Sequence, residues 1–99
     1  MVRPKKWRLL SPFIKDYLFK PSGIPASLLK IADLKGDEIE AMLLCDREEL
    51  EQDAAGRKMG ISRPTVQRLL YSGRRKVADA LVEGKAIQIT FPKYVTKRR

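Results

Sequence analysis

One short stretch constrains this chain more than any other: residues 52–70, QDAAGRKMGISRPTVQRLL. Ala54, Ala55 and Gly56 place small side chains on a first helix, where a second helix can approach closely. Gly60 follows Met59 and can take a positive φ, which ends a helix without the steric cost of a Cβ. Ser62 suits the N-cap of a following helix. Pro64 falls in that helix's first turn, where a missing N–H costs nothing. Val66, Leu69, Leu70, Gly73 and Val77 then share one helical face, while Pro64, Arg68, Tyr71 and Arg75 take the other. The spacing predicts two helices joined by a tight turn, the second running to about residue 82 and stopping before Gly84.

Charge separates this pattern from a plain helical hairpin. The chain has 99 residues and a formal net charge of +9, which suits an anionic partner. Residues 1–36 carry 8 basic and 2 acidic side chains, residues 37–61 carry 3 and 8, and residues 62–99 carry 10 and 2. Basic charge therefore lies at the N-terminus and from the second helix onward. The acidic cluster of residues 37–53 is expected to be a solvated face, turned from a polyanion or presented to a basic protein.

Several classes are excluded. With one cysteine, Cys45, no internal disulfide forms, and a reducing compartment fits. With no histidine and one cysteine, zinc fingers and histidine-based triads are ruled out. No nucleophile–base pairing or phosphate-cradling glycine loop is visible, so no enzyme, cofactor or metal is expected. No apolar run approaches the roughly 20 residues of a membrane span. A cytoplasmic protein that makes no membrane contact is expected.

Elsewhere the chain reads as follows. Pro4, Pro12, Pro21 and Pro25 argue against a long N-terminal helix, and Arg3, Lys5, Lys6 and Arg8 make a basic arm around Trp7. Pro25 can start a short helix through about Ala32, with Leu28, Ile31 and Ala32 on one face. Asp37 with Glu40 matches a capping box, and Ile39, Met42 and Leu43 mark the buried face of a helix ending near Cys45. Cys45 is expected to pack as a small hydrophobe. Leu50 is placed to staple the next helix start. Residues 86–91 alternate loosely as a short strand needing a partner, either residues 7–10 or another subunit. Lys97, Arg98 and Arg99 end the chain as a frayed basic tail.

A helix entering the DNA major groove reads base edges from its first turns. The base-reading candidates are Arg63, Pro64, Gln67, Arg68 and Tyr71, with arginine suited to guanine and glutamine to adenine. Tyr71 also suits packing beneath the N-terminal segment. The phosphate candidates are Gln52, Ser62, Thr65, Arg74, Arg75 and Lys76, together with Arg3, Lys5, Lys6 and Arg8 of the arm.

These residues resemble a family of small uncharacterised prokaryotic proteins, predicted to bind DNA through a helix-turn-helix similar to region 4 of sigma factors. The likeness covers about residues 2–89. It rests on Arg3-Pro4-Lys5-Lys6, on the loop FKPSGIP of residues 19–25, on DEIEA of residues 37–41, on residues 52–70, and on KVADALVEGKA of residues 76–86. Trp7 stands where relatives often have cysteine, Glu51 where a serine cap is usual, and Gly56 where alanine is usual. The resemblance implies a transcription-related DNA binder with Arg63, Thr65, Gln67 and Arg68 at reading positions.

The expected fold is mainly α. It is a helix-turn-helix bundle of winged-helix or sigma region 4 type, with an irregular basic arm and a short C-terminal strand. Residues 1–25 form the arm and loop, 26–84 the helical DNA-binding domain (the helix-turn-helix at about 51–82), and 85–99 the strand and tail. The expected function is sequence-specific binding of double-stranded DNA by a transcriptional regulator. The alternatives are a module docking on the transcription machinery, in contact with RNA polymerase, and an RNA-binding accessory. The unpartnered strand adds the expectation of a homodimer.

Overall fold

The computed structural model describes residues 8–10, 17–90 and 95–97, with side chains described for 17–90. Three helices pack together and against a small mixed sheet. In chain order the elements are β1 (Arg8–Leu10), β2 (Tyr17–Phe19), a 3-10 turn (Ala26–Leu28), β3 (Ile31–Lys35) and α1 (Gly36–Met42). A π-helical turn (Leu43–Arg47) follows, then α2 (Gln52–Met59), α3 (Arg63–Glu83), β4 (Ala86–Thr90) and β5 (Val95–Lys97).

The two punctuated helices form where the sequence places them. Gly60 sits at φ 73°, ψ 32°, and Ile61 N–H donates to the Gly56 carbonyl at 2.9 Å. Ser62 is extended, and its Oγ accepts from Thr65 N–H at 3.4 Å. Gly84 closes α3 in the same left-handed conformation, at φ 68°. Glu51 caps α2 without a side-chain hydrogen bond, while Leu50 just before it packs on the core as a staple does. Gly56 lies close under the turn: a Cβ there would lie 2.7 Å from the Ile61 carbonyl oxygen, so the turn would have to shift to take one.

The core consists of Ala41, Leu44, Ala55, Met59, Val66 and Leu70, with Ile39, Met42, Cys45, Leu50, Ile61 and Leu69 packed around it. Each large side chain fully buried here contributes roughly 1.5–3 kcal/mol. Gly73 lets α1 and α3 meet closely, since a Cβ would lie 2.9 Å from Met42 Sδ and 3.2 Å from Glu38 Cβ.

The structure corrects four expectations. First, residues 26–32 form no α-helix. Leu28 N–H bonds to the Pro25 carbonyl and Leu29 N–H to that of Ala26, one 3-10 turn, and the chain then extends into β3. The apolar spacing of Leu28, Ile31 and Ala32 was misleading: Leu28 and Ile31 are exposed, and Leu34 is the buried residue of the strand. Second, α1 begins two residues earlier than an Asp37 cap requires. Lys35 is the N-cap, and its backbone N–H donates to Glu38 Oε1 at 2.9 Å. Its buried face follows suit, with Ala41 and Leu44 inside and Ile39, Met42 and Leu43 half-buried.

Third, the acidic stretch is not one solvated face. Asp37, Glu38 and Glu40 are buried, whereas Asp46, Glu48, Glu49, Glu51 and Asp53 are exposed. Fourth, β4 finds its partners within the chain, pairing antiparallel with β2 and parallel with β3 in the order β2-β4-β3. Residues 8–10 pair instead with β5, in parallel. The register places Leu34 opposite Ile89 and Tyr17 opposite Ile89 on the other side.

Candidate nucleic-acid interface

The exposed side of α3 collects most of the donors singled out from the sequence. Arg63, Pro64, Gln67, Arg68, Tyr71 and Arg75 are all exposed. They stand opposite Val66, Leu70, Gly73 and Ala80, which are buried, so the core fixes which side of the helix faces solvent. At the start of the helix the polar groups are linked. Ser62 Oγ and Thr65 Oγ1 lie 3.0 Å apart, and Arg68 Nη2 donates to Thr65 Oγ1 at 3.2 Å. One turn further on, Arg75 Nη1 donates to Tyr71 Oη at 3.3 Å. Tyr71 is 67 % exposed, so the described residues leave most of it open to solvent.

Gln52, at the first turn of α2, is brought beside this helix. With Gln67, Leu70, Tyr71, Arg74 and Arg75 it lines a shallow depression of about 500 Å³. Its lining combines the apolar Leu70 and the Tyr71 ring with the amides of Gln52 and Gln67 and the guanidinium groups of Arg74 and Arg75.

Two of the expected phosphate contacts are engaged within the protein. Arg74 forks onto Asp46, with Nε to Oδ2 at 3.1 Å and Nη2 to Oδ1 at 2.5 Å. That hydrogen bond raises the guanidinium pKa further and ties α3 to the π-helical turn. Lys76 points inward: its ammonium donates to Glu38 Oε1 and to the Asp33 carbonyl, each at 2.8 Å. Ser72 Oγ donates to the other oxygen of Glu38. Glu38 is thus a buried carboxylate joined to α3 twice and to the start of α1. Sequence reasoning missed this cluster, although Ser72 and Lys76 are four apart and border Gly73 and Val77 on the buried face.

Arg3, Lys5 and Lys6 lie outside the described residues, and for Arg8 only the backbone is described. Cys45 is half-buried, and burial, then Asp46, push its thiol pKa up. Among the described residues no group of histidine, cysteine or acidic side chains could hold a metal ion, and no helix is long and apolar enough to cross a membrane.

Comparison with known proteins gives the chain its relatives. A UPF0251 protein of Dehalococcoides mccartyi is 54 % identical over 89 residues, covering 90 % of this chain and 76 % of its own length. One from Clostridium beijerinckii is 45 % identical over 97 residues, covering 98 % of this chain and 66 % of the relative. One from Shewanella halifaxensis is 51 % identical over 87 residues, covering 88 % and 91 %. No solved structure matches. Residues 1–97 match the family described as protein of unknown function DUF134, and with these relatives the chain belongs to that family.

Proposed function

We propose that this chain binds double-stranded DNA sequence-specifically, as a transcriptional regulator, with α2 and α3 acting as a helix-turn-helix. The observation that carries this reading is the row of exposed donors on the first turns of α3. Arg63, Gln67 and Arg68 stand there on a helix whose opposite face is locked into the core. A major groove admits one helix, and its N-terminal turns meet base edges. Arg63, Gln67 and Arg68 would read bases, with Pro64 and Tyr71 in contact beside them. Ser62, Thr65, Gln52 and Arg75 would meet the backbone. Arg74 and Lys76, already paired, contribute less than their charge suggests.

Selection of bound duplexes from random-sequence DNA at near-physiological salt tests the reading. A defined motif is expected. Its affinity should fall with salt at a log–log slope of about −0.9 for each phosphate neutralised. Arg68→Ala should cost about 1–3 kcal/mol and relax the preference at one base pair. If that variant binds the selected site as wild type does, Arg68 is no reader.

A second reading has one observation in its favour. Asp46, Glu48, Glu49 and Glu51 between α1 and α2, with Asp53 in the first turn of α2, are exposed, a surface for a basic protein such as a subunit of the transcription machinery. Capture of RNA polymerase with no affinity for duplex DNA at low salt would favour it over the first.

A further inference from the structure

Arg68 differs from its neighbours on the reading face in being held. Among the described residues Arg63 and Gln67 have no side-chain hydrogen bond or ion pair, whereas Arg68 Nη2 donates to Thr65 Oγ1 at 3.2 Å. Thr65 is held in turn. An oxygen that accepts from a guanidinium still has its own O–H to give, and Ser62 Oγ lies 3.0 Å away to accept it. The same Ser62 oxygen accepts Thr65 N–H at 3.4 Å, so one residue anchors both backbone and hydroxyl of Thr65. Bonds in such a chain polarise one another, and a β-branched threonine has little rotamer freedom to lose.

The direction of the pull matters. Thr65 is three residues before Arg68, so the bond draws the guanidinium back over the first turn of α3, the end that enters a groove. One of five N–H donors is spent on Thr65, and the remaining four suffice for a two-pronged contact with guanine O6 and N7. A long arginine is otherwise costly to order on binding, and fixing it beforehand removes part of that cost.

We propose that Thr65 is a positioning residue, which through its bond to Ser62 orients Arg68 for guanine and so sets the specificity of the site. The inference rests on the DNA-binding reading above. It adds that the guanine preference belongs to the Ser62–Thr65–Arg68 chain as a unit, with Arg63 and Gln67 left to adapt.

The test uses the full chain and a duplex recovered by selection, along with versions carrying 7-deazaguanine, which lacks the N7 acceptor, at each guanine in turn. Wild type should lose affinity sharply at one guanine. Thr65→Val keeps the Ser62 cap and the shape of the side chain but removes the hydroxyl. It should shrink that discrimination by about 3- to 10-fold, over and above a uniform loss of affinity shared by unrelated duplex, with far-UV circular dichroism and thermal midpoint unchanged. Thr65→Ser should restore most of it. If Thr65→Val discriminates as wild type does, or if no guanine matters, the positioning role is overturned while DNA binding stands. If wild type binds no duplex at low salt, the underlying reading fails and the inference goes with it.

Discussion

Single residues decide the turn between α2 and α3. Gly60 and Gly56 are four apart and do different things. Gly60 is needed for its backbone angle, and a Cβ there would meet nothing within 4 Å. Gly56 matters for space, because the Ile61 carbonyl oxygen lies 2.7 Å from where its Cβ would be. Gly56→Ala gains up to about 1 kcal/mol in helix propensity. Displacing the turn carbonyl costs about 1–3 kcal/mol, so the net effect should be destabilising, by urea unfolding. A gain in stability would show that the turn can move away. Cys45 offers a second test at this scale. Burial and the neighbouring Asp46 raise its thiol pKa, with Arg74 opposing. A raised pKa means less thiolate at a given pH, so alkylation by iodoacetamide at pH 8 should run several-fold slower in the folded chain than in urea, where the thiol has its ordinary acidity. Equal rates would contradict the burial.

At the level of elements, α3 serves two ends with adjacent residues. Arg75 is exposed and bonded to Tyr71, while Lys76 is turned onto Glu38 and the Asp33 carbonyl and so joins α3 to α1 and β3. Removing one partner of a largely buried ion pair leaves the other without compensation. Lys76→Ala should therefore cost about 2–3 kcal/mol, discounted because the lysine side chain is 32 % exposed. Arg75→Ala should change stability by less than about 0.5 kcal/mol and weaken duplex binding instead. Thermal unfolding and DNA titration of both variants check this; the opposite pattern would invert the roles given to the two side chains. The Arg74–Asp46 pair lies between these cases. Both side chains are about half exposed, so Asp46→Ala should cost less than about 1 kcal/mol.

Across the whole molecule, β4 is the joint between the two ends of the chain. It follows α3 directly and lies between β2 from the N-terminal part and β3, so each edge is paired within one copy. The reason for expecting a dimer through this strand disappears with that pairing. Amides of Ile87 and Ile89 should be among the slower to exchange with deuterium, at a rate independent of protein concentration. Protection that rises with concentration would mean that the pairing is made between copies. How much of this was legible beforehand varied by element. The boundaries of α2 and α3 were, because Gly60, Ser62, Pro64 and Gly84 act through their own backbone geometry. The strand β3 was not, because Leu28, Ile31 and Ala32 fit a helical spacing and only the presence of β4 makes the extended form better. The outward donors of α3 were legible from its apolar register, but the inward turn of Lys76 was not, since it depends on Glu38, which is 38 residues away.

The sequence by itself determined the helix pair, its turn, the face that α3 buries and the chain's surplus of positive charge. Each of these is local, set by φ preferences, capping and a 3.6-residue period within one segment. Tertiary structure alone decided the strand partners, the burial of Asp37, Glu38 and Glu40, and which cations of α3 remain open to an anion. Those outcomes depend on groups far apart in the chain, and a charged side chain in isolation carries no sign of whether a carboxylate or solvent will meet it.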